Sequence, residues 1–204
     1  MGKSRLEAFS DGVFAIAITL LVLEIKVPDV GERGLGQALA DQWPSYVSYV
    51  VSFLVIGIIW MNHHAVMDHL ARVDRTLLAL NLLLLLFVAL IPWPTALLAE
   101  YMRHGGEPER AAALVYSGTM TLMGVAFGAL WRHASRGRRL LAVDLSDDEI
   151  RRRTLRFTIG APLYLLALVV AIFSAPAALV MVALLAVYYA VPGAGMMPHP
   201  ERRA

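Results

Sequence analysis

The chain contains no cysteine in 204 residues, which excludes disulfide frameworks, thiolate nucleophiles and cysteine-bound zinc or iron–sulfur centres. Charge is scarce as well: 17% of residues are Asp, Glu, Lys or Arg, against roughly 25% in a soluble domain. The net charge of +2 is too small to imply a nucleic-acid partner, so where the basic residues sit matters more than their sum. There is no Thr-Val-Gly-Tyr-Gly filter loop, no arginine at every third residue of a span as in voltage sensors, and no Walker A phosphate loop. With no activated nucleophile, acid/base pair or cofactor loop, neither an enzyme nor a cofactor is expected. What occupies the space left by charge is apolar: 58% of the chain is hydrophobic.

A bilayer core about 30 Å thick needs roughly 20 apolar residues per helix, and six stretches approach that length. The expected fold is an all-α membrane protein in one domain, 1–204, with helices at about 5–26, 45–67, 75–98, 111–130, 147–173 and 175–191 and a cytoplasmic tail over 192–204. Ser10 and Asp11 interrupt the first stretch and no small-residue cleavage site follows Lys26, so it is read as a retained helix rather than a signal peptide. Ser4-x-x-Glu7 and Ser146-x-x-Glu149 both fit the capping box that opens a helix. Six spans put both termini on one side. That side would hold Lys3, Arg5, Arg72, Arg75, Arg132, Arg136, Arg138, Arg139, Arg151, Arg152, Arg153, Arg156, Arg202 and Arg203, leaving Lys26, Arg33, Arg103 and Arg110 on the other. Basic residues stay inside, so both termini are expected in the cytoplasm of a multi-pass cell-membrane protein. The 132–156 cluster reads as an anchor on anionic lipid. Trp43, Trp93, Tyr101, Trp131 and Tyr188 fall near helix ends, as interfacial anchors do.

Asp11 is conspicuous, because a carboxylate within a span costs about 2.5 to 3.5 kcal/mol at the helix centre and normally has a partner. It lies six residues into the first helix. Helix 2 returns Trp60, Asn62, His63 and His64 to a similar depth, and Asn81 lies six residues into helix 3. With Ser10, these residues are expected to form one buried polar layer locking helices 1 to 3 together. A proton relay through Asp11 and His63 or His64, as in a proton-coupled transporter, is the alternative use of the same groups. Metal binding is not expected: His63 and His64 are adjacent and point about 100° apart on a helix, unlike a one-face His-x-x-x-His pair. On the other side of helix 1, Arg5, Phe9, Gly12, Ile16, Leu20 and Leu23 fall within about 40° of one line at 100° per residue, with Thr19 about 60° away.

The segment from Arg5 to Leu20, with Arg5, Phe9, Ser10 and Asp11 spaced as Arg-x-x-x-Phe-Ser-Asp, closely resembles the signature of the transmembrane protein 175 family of cation channels. Trp60-x-x-His63-His64 looks like the same family. The resemblance implies a single-repeat, six-helix bacterial form that assembles as a homotetramer in the bilayer and conducts potassium ions. It implies that helix 1 lines the central pore without a re-entrant filter loop. Counted from the motif, the pore positions are Ile16, Thr19, Leu20 and Leu23, with bulky aliphatic residues forming the constriction. Thr19 would contact a cation or bond back to its own helix; both readings stay open here.

Overall fold

The computed structural model describes residues 2–29, 34–142 and 145–190. Its elements are α1 (Lys3–Leu20), continued by a 3₁₀ turn over Leu21–Glu24, then α2 (Leu35–Asp41), α3 (Trp43–Asp68), α4 (Arg75–Leu90), α5 (Pro92–Tyr101), α6 (Gly106–Ser135), α7 (Asp147–Phe173) and α8 (Ala175–Ala190). A 3₁₀ turn over Arg136–Arg138 follows α6. Among the described residues there is no sheet, only one antiparallel bridge between Leu70 and Leu141. Five segments are long and apolar enough to cross a membrane: α1 with its turn, α3, α4 together with α5, α6, and α7; α8 is apolar but shorter. The expected tail over 192–204 lies outside the described residues.

Local chemistry sets the helix ends, and it departs from expectation in places. At Ser146 both arms of the capping box form: its Oγ accepts from the Glu149 amide at 3.3 Å and its own amide donates to Glu149 at 2.9 Å. The box expected at Ser4 does not form. Helix α1 starts earlier, at Lys3, with Gly2 at its N-cap and no side-chain cap. Glu7 turns instead to Lys3 at 3.6 Å, the i,i+4 pairing that two opposite charges one turn apart favour. The third expected helix is one span made of two helices. Pro92 has no amide proton to continue the ladder, and the Ile91 amide closes a tighter turn on the Val88 carbonyl at 3.2 Å.

Helix α6 is the centre of the packing and touches α4, α5, α7 and α8. Its Tyr116, Met120, Met123, Leu130 and Trp131 are fully buried. Trp131 is therefore a core residue rather than an interfacial anchor; its indole N–H donates to Thr154 Oγ1 at 2.9 Å, which satisfies the one polar atom that burial would strand. The seam between α6 and α7 closes on glycine. A Cβ at Gly124 would sit 3.1 Å from Ala161 Cα and 3.2 Å from its amide nitrogen, and backbone cannot move aside as a flexible side chain can. Gly124→Val is expected to destabilise the subunit by about 1–3 kcal/mol through overpacking, read as a lowered unfolding temperature in detergent.

The loop after α3 is laced to the loop after α6: Ala71 N–H donates to Leu140 O and Ala142 N–H to His69 O, both at 2.8 Å. His69 is buried beneath this lacing. Its Nδ1 bonds the Ala65 carbonyl and its Nε2 meets Arg153, so Nδ1 carries the proton and Nε2 accepts from the guanidinium. Burial holds the imidazole below its ordinary pKa and Arg153 adds to this; the Ala65 bond opposes them, with Asp68 and Lys3 as smaller opposing influences on each other. A histidine with a depressed folded-state pKa stabilises the fold fully above its unfolded value, about 6.5, and loses that contribution as pH falls below it. Lowering pH from 7.5 to 5 should therefore reduce thermal stability more in the wild type than in His69→Gln, which lacks the titrating ring.

Candidate functional site

Helix α1 has one sealed and one open side. Leu6, Ser10, Phe14, Ala17 and Leu21 are buried, at the i, i+4, i+8, i+11, i+15 spacing of a helix face, against α3 and α4. On the opposite side Ile16 is 61%, Leu20 41% and Leu23 69% exposed. Phe9, Arg5 and Gly12 lie on the same open side, and so does Thr19. The stripe runs the length of the helix and is left exposed by the described residues of its own subunit.

The Thr19 hydroxyl bonds back into its helix, to Ala15 O and Ile16 O, each at 2.9 Å. Its proton is thereby taken, while the oxygen retains acceptor capacity on the open side. At the far end of the stripe, Glu24 borders a cavity of about 380 Å³ together with Lys26, Glu100 and Arg103. Lys26 and Glu100 pair there at 3.4 Å with both side chains mostly exposed, which is worth little in stability.

The polar layer divides in two. Its inner arm is a directional chain across three helices. His63 Nε2 donates to Asn81 Oδ1 at 2.7 Å, Asn81 Nδ2 donates to Ser10 Oγ at 3.0 Å, and Ser10 donates to Leu6 O at 2.8 Å. All three side chains are buried, and Phe14 closes over the His63 ring at a centroid distance of 5.4 Å. The outer arm is exposed: Trp60 Nε1 donates to Asp11 Oδ1 at 2.9 Å, and the Trp60 ring stacks on His64.

Four expectations about this layer are corrected, the first at Trp60, which is exposed rather than buried. Asp11 is exposed rather than buried, because it follows Ser10 by 100° around the helix and so leaves the sealed face. His64 is likewise exposed and faces Asp68, one turn on, at 3.8 Å. Asn62 stands on another side of α3, bordering a small crevice with Tyr164 and Tyr189, and has no part in either arm. Asp11 and His63 share no hydrogen bond among the described residues, so the proton relay lacks its direct link. No group of three or more His, Asp or Glu suited to a metal ion occurs among the described residues.

A second buried polar cluster escaped sequence reasoning. Ser52 Oγ lies 2.7 Å from Thr95 Oγ1 and 3.0 Å from the Tyr116 hydroxyl, and Thr95 donates to Ile91 O at 2.8 Å. It joins α3, α5 and α6 at the depth of the proline break. The available signal was three hydroxyls inside apolar stretches; each is common in membrane helices and none is charged, so none stood out.

A bundle of apolar helices, internally pinned by hydrogen bonds and presenting an exposed aliphatic stripe on its first helix, defines a multi-span membrane protein. Residues 5–92 match the family model described as "Endosomal/lysosomal potassium channel TMEM175". The chain is 52% identical over 203 residues to a potassium channel of Streptomyces collinus, covering 99% of this chain and 97% of that one. It is 44% identical over 190 residues to a potassium channel of Chamaesiphon minutus, covering 92% and 93%. The crystal structure of a lysosomal potassium-selective channel TMEM175 homolog from Chamaesiphon minutus superposes with a TM-score of 0.83 at 42% identity, covering 91% of this chain and 95% of that one. The chain belongs to the TMEM175 family.

Proposed function

We propose that the protein is a potassium channel of the cell membrane, built as a homotetramer with α1 of each copy around a central axis. The observation that carries this reading is the two-sided character of α1. Ser10 and Asp11 of the signature engage their own bundle while Ile16, Leu20 and Leu23 are exposed along the other side. Similarity to potassium channels over nearly the full length supports the choice of ion. Six spans, with α8 as the sixth, and cytoplasmic termini agree with the distribution of arginines.

Around a four-fold axis, Ile16, Leu20 and Leu23 become stacked aliphatic rings. A narrow apolar ring excludes ions because water leaves it, and it conducts when it widens enough to wet. The Thr19 ring is the one hydroxyl layer among these positions; its outward oxygens replace part of a cation's hydration and give a modest preference for potassium over sodium. Glu24 raises the local cation concentration at the mouth. Asp11 and Trp60 lie at the border of the open side, where an adjacent copy would cover them.

Protein reconstituted in a planar bilayer with opposed potassium and sodium gradients is expected to pass current without ATP or co-substrate, with a reversal potential displaced toward that of potassium. Flux that requires a pH gradient and saturates with a solute would instead favour the transporter. Sealed bilayers containing folded protein would refute conduction.

A further inference from the structure

Beside the α6–α7 seam a groove of about 440 Å³ runs along the outside of the bundle. Its apolar part is bordered by Val125, Ala129 and Ala161, and its end by Arg132, His133 and Arg136. Neither Arg132 nor Arg136 has a carboxylate partner among the described residues, and both are exposed. His133 is occupied, its Nε2 3.0 Å from both oxygens of Asp74, and Arg139 approaches the same carboxylate at 3.5 Å. The nearby acid is thus balanced by its own cations, and among the described residues the guanidiniums of Arg132 and Arg136 stay uncompensated.

We infer that this groove binds an anionic phospholipid, with the headgroup phosphate on Arg132 and Arg136 and one acyl chain lying against Val125, Ala129 and Ala161. The inference rests on the reading that α6 crosses the bilayer. Two features favour a lipid over a free anion or a protein. From Gly124 to Arg132 the helix rises about 12 Å, close to the hydrocarbon depth of one leaflet, which is half of about 30 Å. Charge and apolar surface therefore have the separation of a phosphate and its chain. The guanidiniums also sit at the end of a spanning helix, where planar, fork-shaped donors match phosphate oxygens and where basic residues meet anionic headgroups.

The test is native mass spectrometry of delipidated protein given phosphatidylglycerol or phosphatidylcholine with identical chains. Wild type is expected to retain phosphatidylglycerol about tenfold more tightly or better, from two arginine contacts. R132Q/R136Q should abolish the preference, whereas R151Q/R152Q, which removes the same charge from exposed positions on α7, should leave it intact. Ala129→Phe, which fills the groove without changing charge, should also abolish binding. Val125→Trp serves the same purpose if that variant misfolds by circular dichroism. Equal loss in both arginine pairs would mean diffuse attraction, and retention in the filled-groove variants would mean that no chain lies there. Displacement by inorganic phosphate would assign the site to the free anion, and loss of oligomer in Ala129→Phe would assign the groove to a second copy. Each of these outcomes overturns the inference. Potassium current is recorded separately, so failure of conduction and failure of lipid binding are told apart.

Discussion

Ile16→Asn is expected to raise the resting potassium leak of reconstituted protein by about tenfold or more, and Leu23→Asn to do the same. The closed barrier at an apolar ring is the cost of wetting it. One carboxamide per subunit supplies donors and acceptors that hold water in the constriction, so about 1.4 kcal/mol removed from the barrier already gives the tenfold change. Both residues are mostly exposed in their own subunit, so neither change opens a core cavity or strands a buried group, and assembly should be preserved. Leu122→Asn on α6 is the control. It is also an exposed leucine but lies on a helix outside the proposed pore, and its leak should equal that of wild type. Unchanged leak at both Ile16 and Leu23 in correctly assembled protein would mean that the stripe faces lipid.

Asn81→Leu is expected to cost about 2–4 kcal/mol of subunit stability, seen as a fall of roughly 5–10 °C in unfolding temperature. Asn81 is the middle of the chain from His63 to Ser10 and is completely buried. Leucine would leave His63 Nε2 with no acceptor in an apolar interior, and a buried polar group left unmade costs more than the net worth of its bond. Asp11→Ala contrasts with it. Asp11 is exposed in the subunit and, among the described residues, bonds the half-exposed Trp60, so its loss should spare the unfolding temperature and reduce the tetramer fraction on size exclusion. Equal destabilisation by both variants would place Asp11 in the subunit core and contradict the division of the polar layer into two arms.

The difference between Asn81 and Asp11 shows where sequence reasoning ran out. Counting residues from helix ends gives depth, since each residue advances a helix by a constant 1.5 Å, and depth brought Ser10, Asp11, Trp60, His63 and Asn81 into one layer. Azimuth decides partners within a layer. The 100° step between neighbours sends Ser10 and His63 inward but Asp11 and His64 outward, and which direction is inward depends on how α1, α3 and α4 pack. Asn62 misled for the same reason. Trp131 misled differently: nearness to a helix end suggested an interface, but the chain beyond it folds back and Thr154 on α7 covers the indole. The break at Pro92 was visible as a residue without an amide proton, yet an apolar run carrying straight through it concealed the change from α4 to α5.

Hydropathy alone pointed this chain to a membrane, because several apolar runs of spanning length in a chain of 204 residues exceed what a soluble core of that size buries. Helical periodicity alone drew the line through Ile16, Leu20 and Leu23. Only the tertiary structure decided that this line is the side of α1 its own subunit leaves open. A helix has many faces of similar composition, and the one that is sealed is chosen by long-range hydrogen bonds such as Asn81 to Ser10, which link residues 71 positions apart.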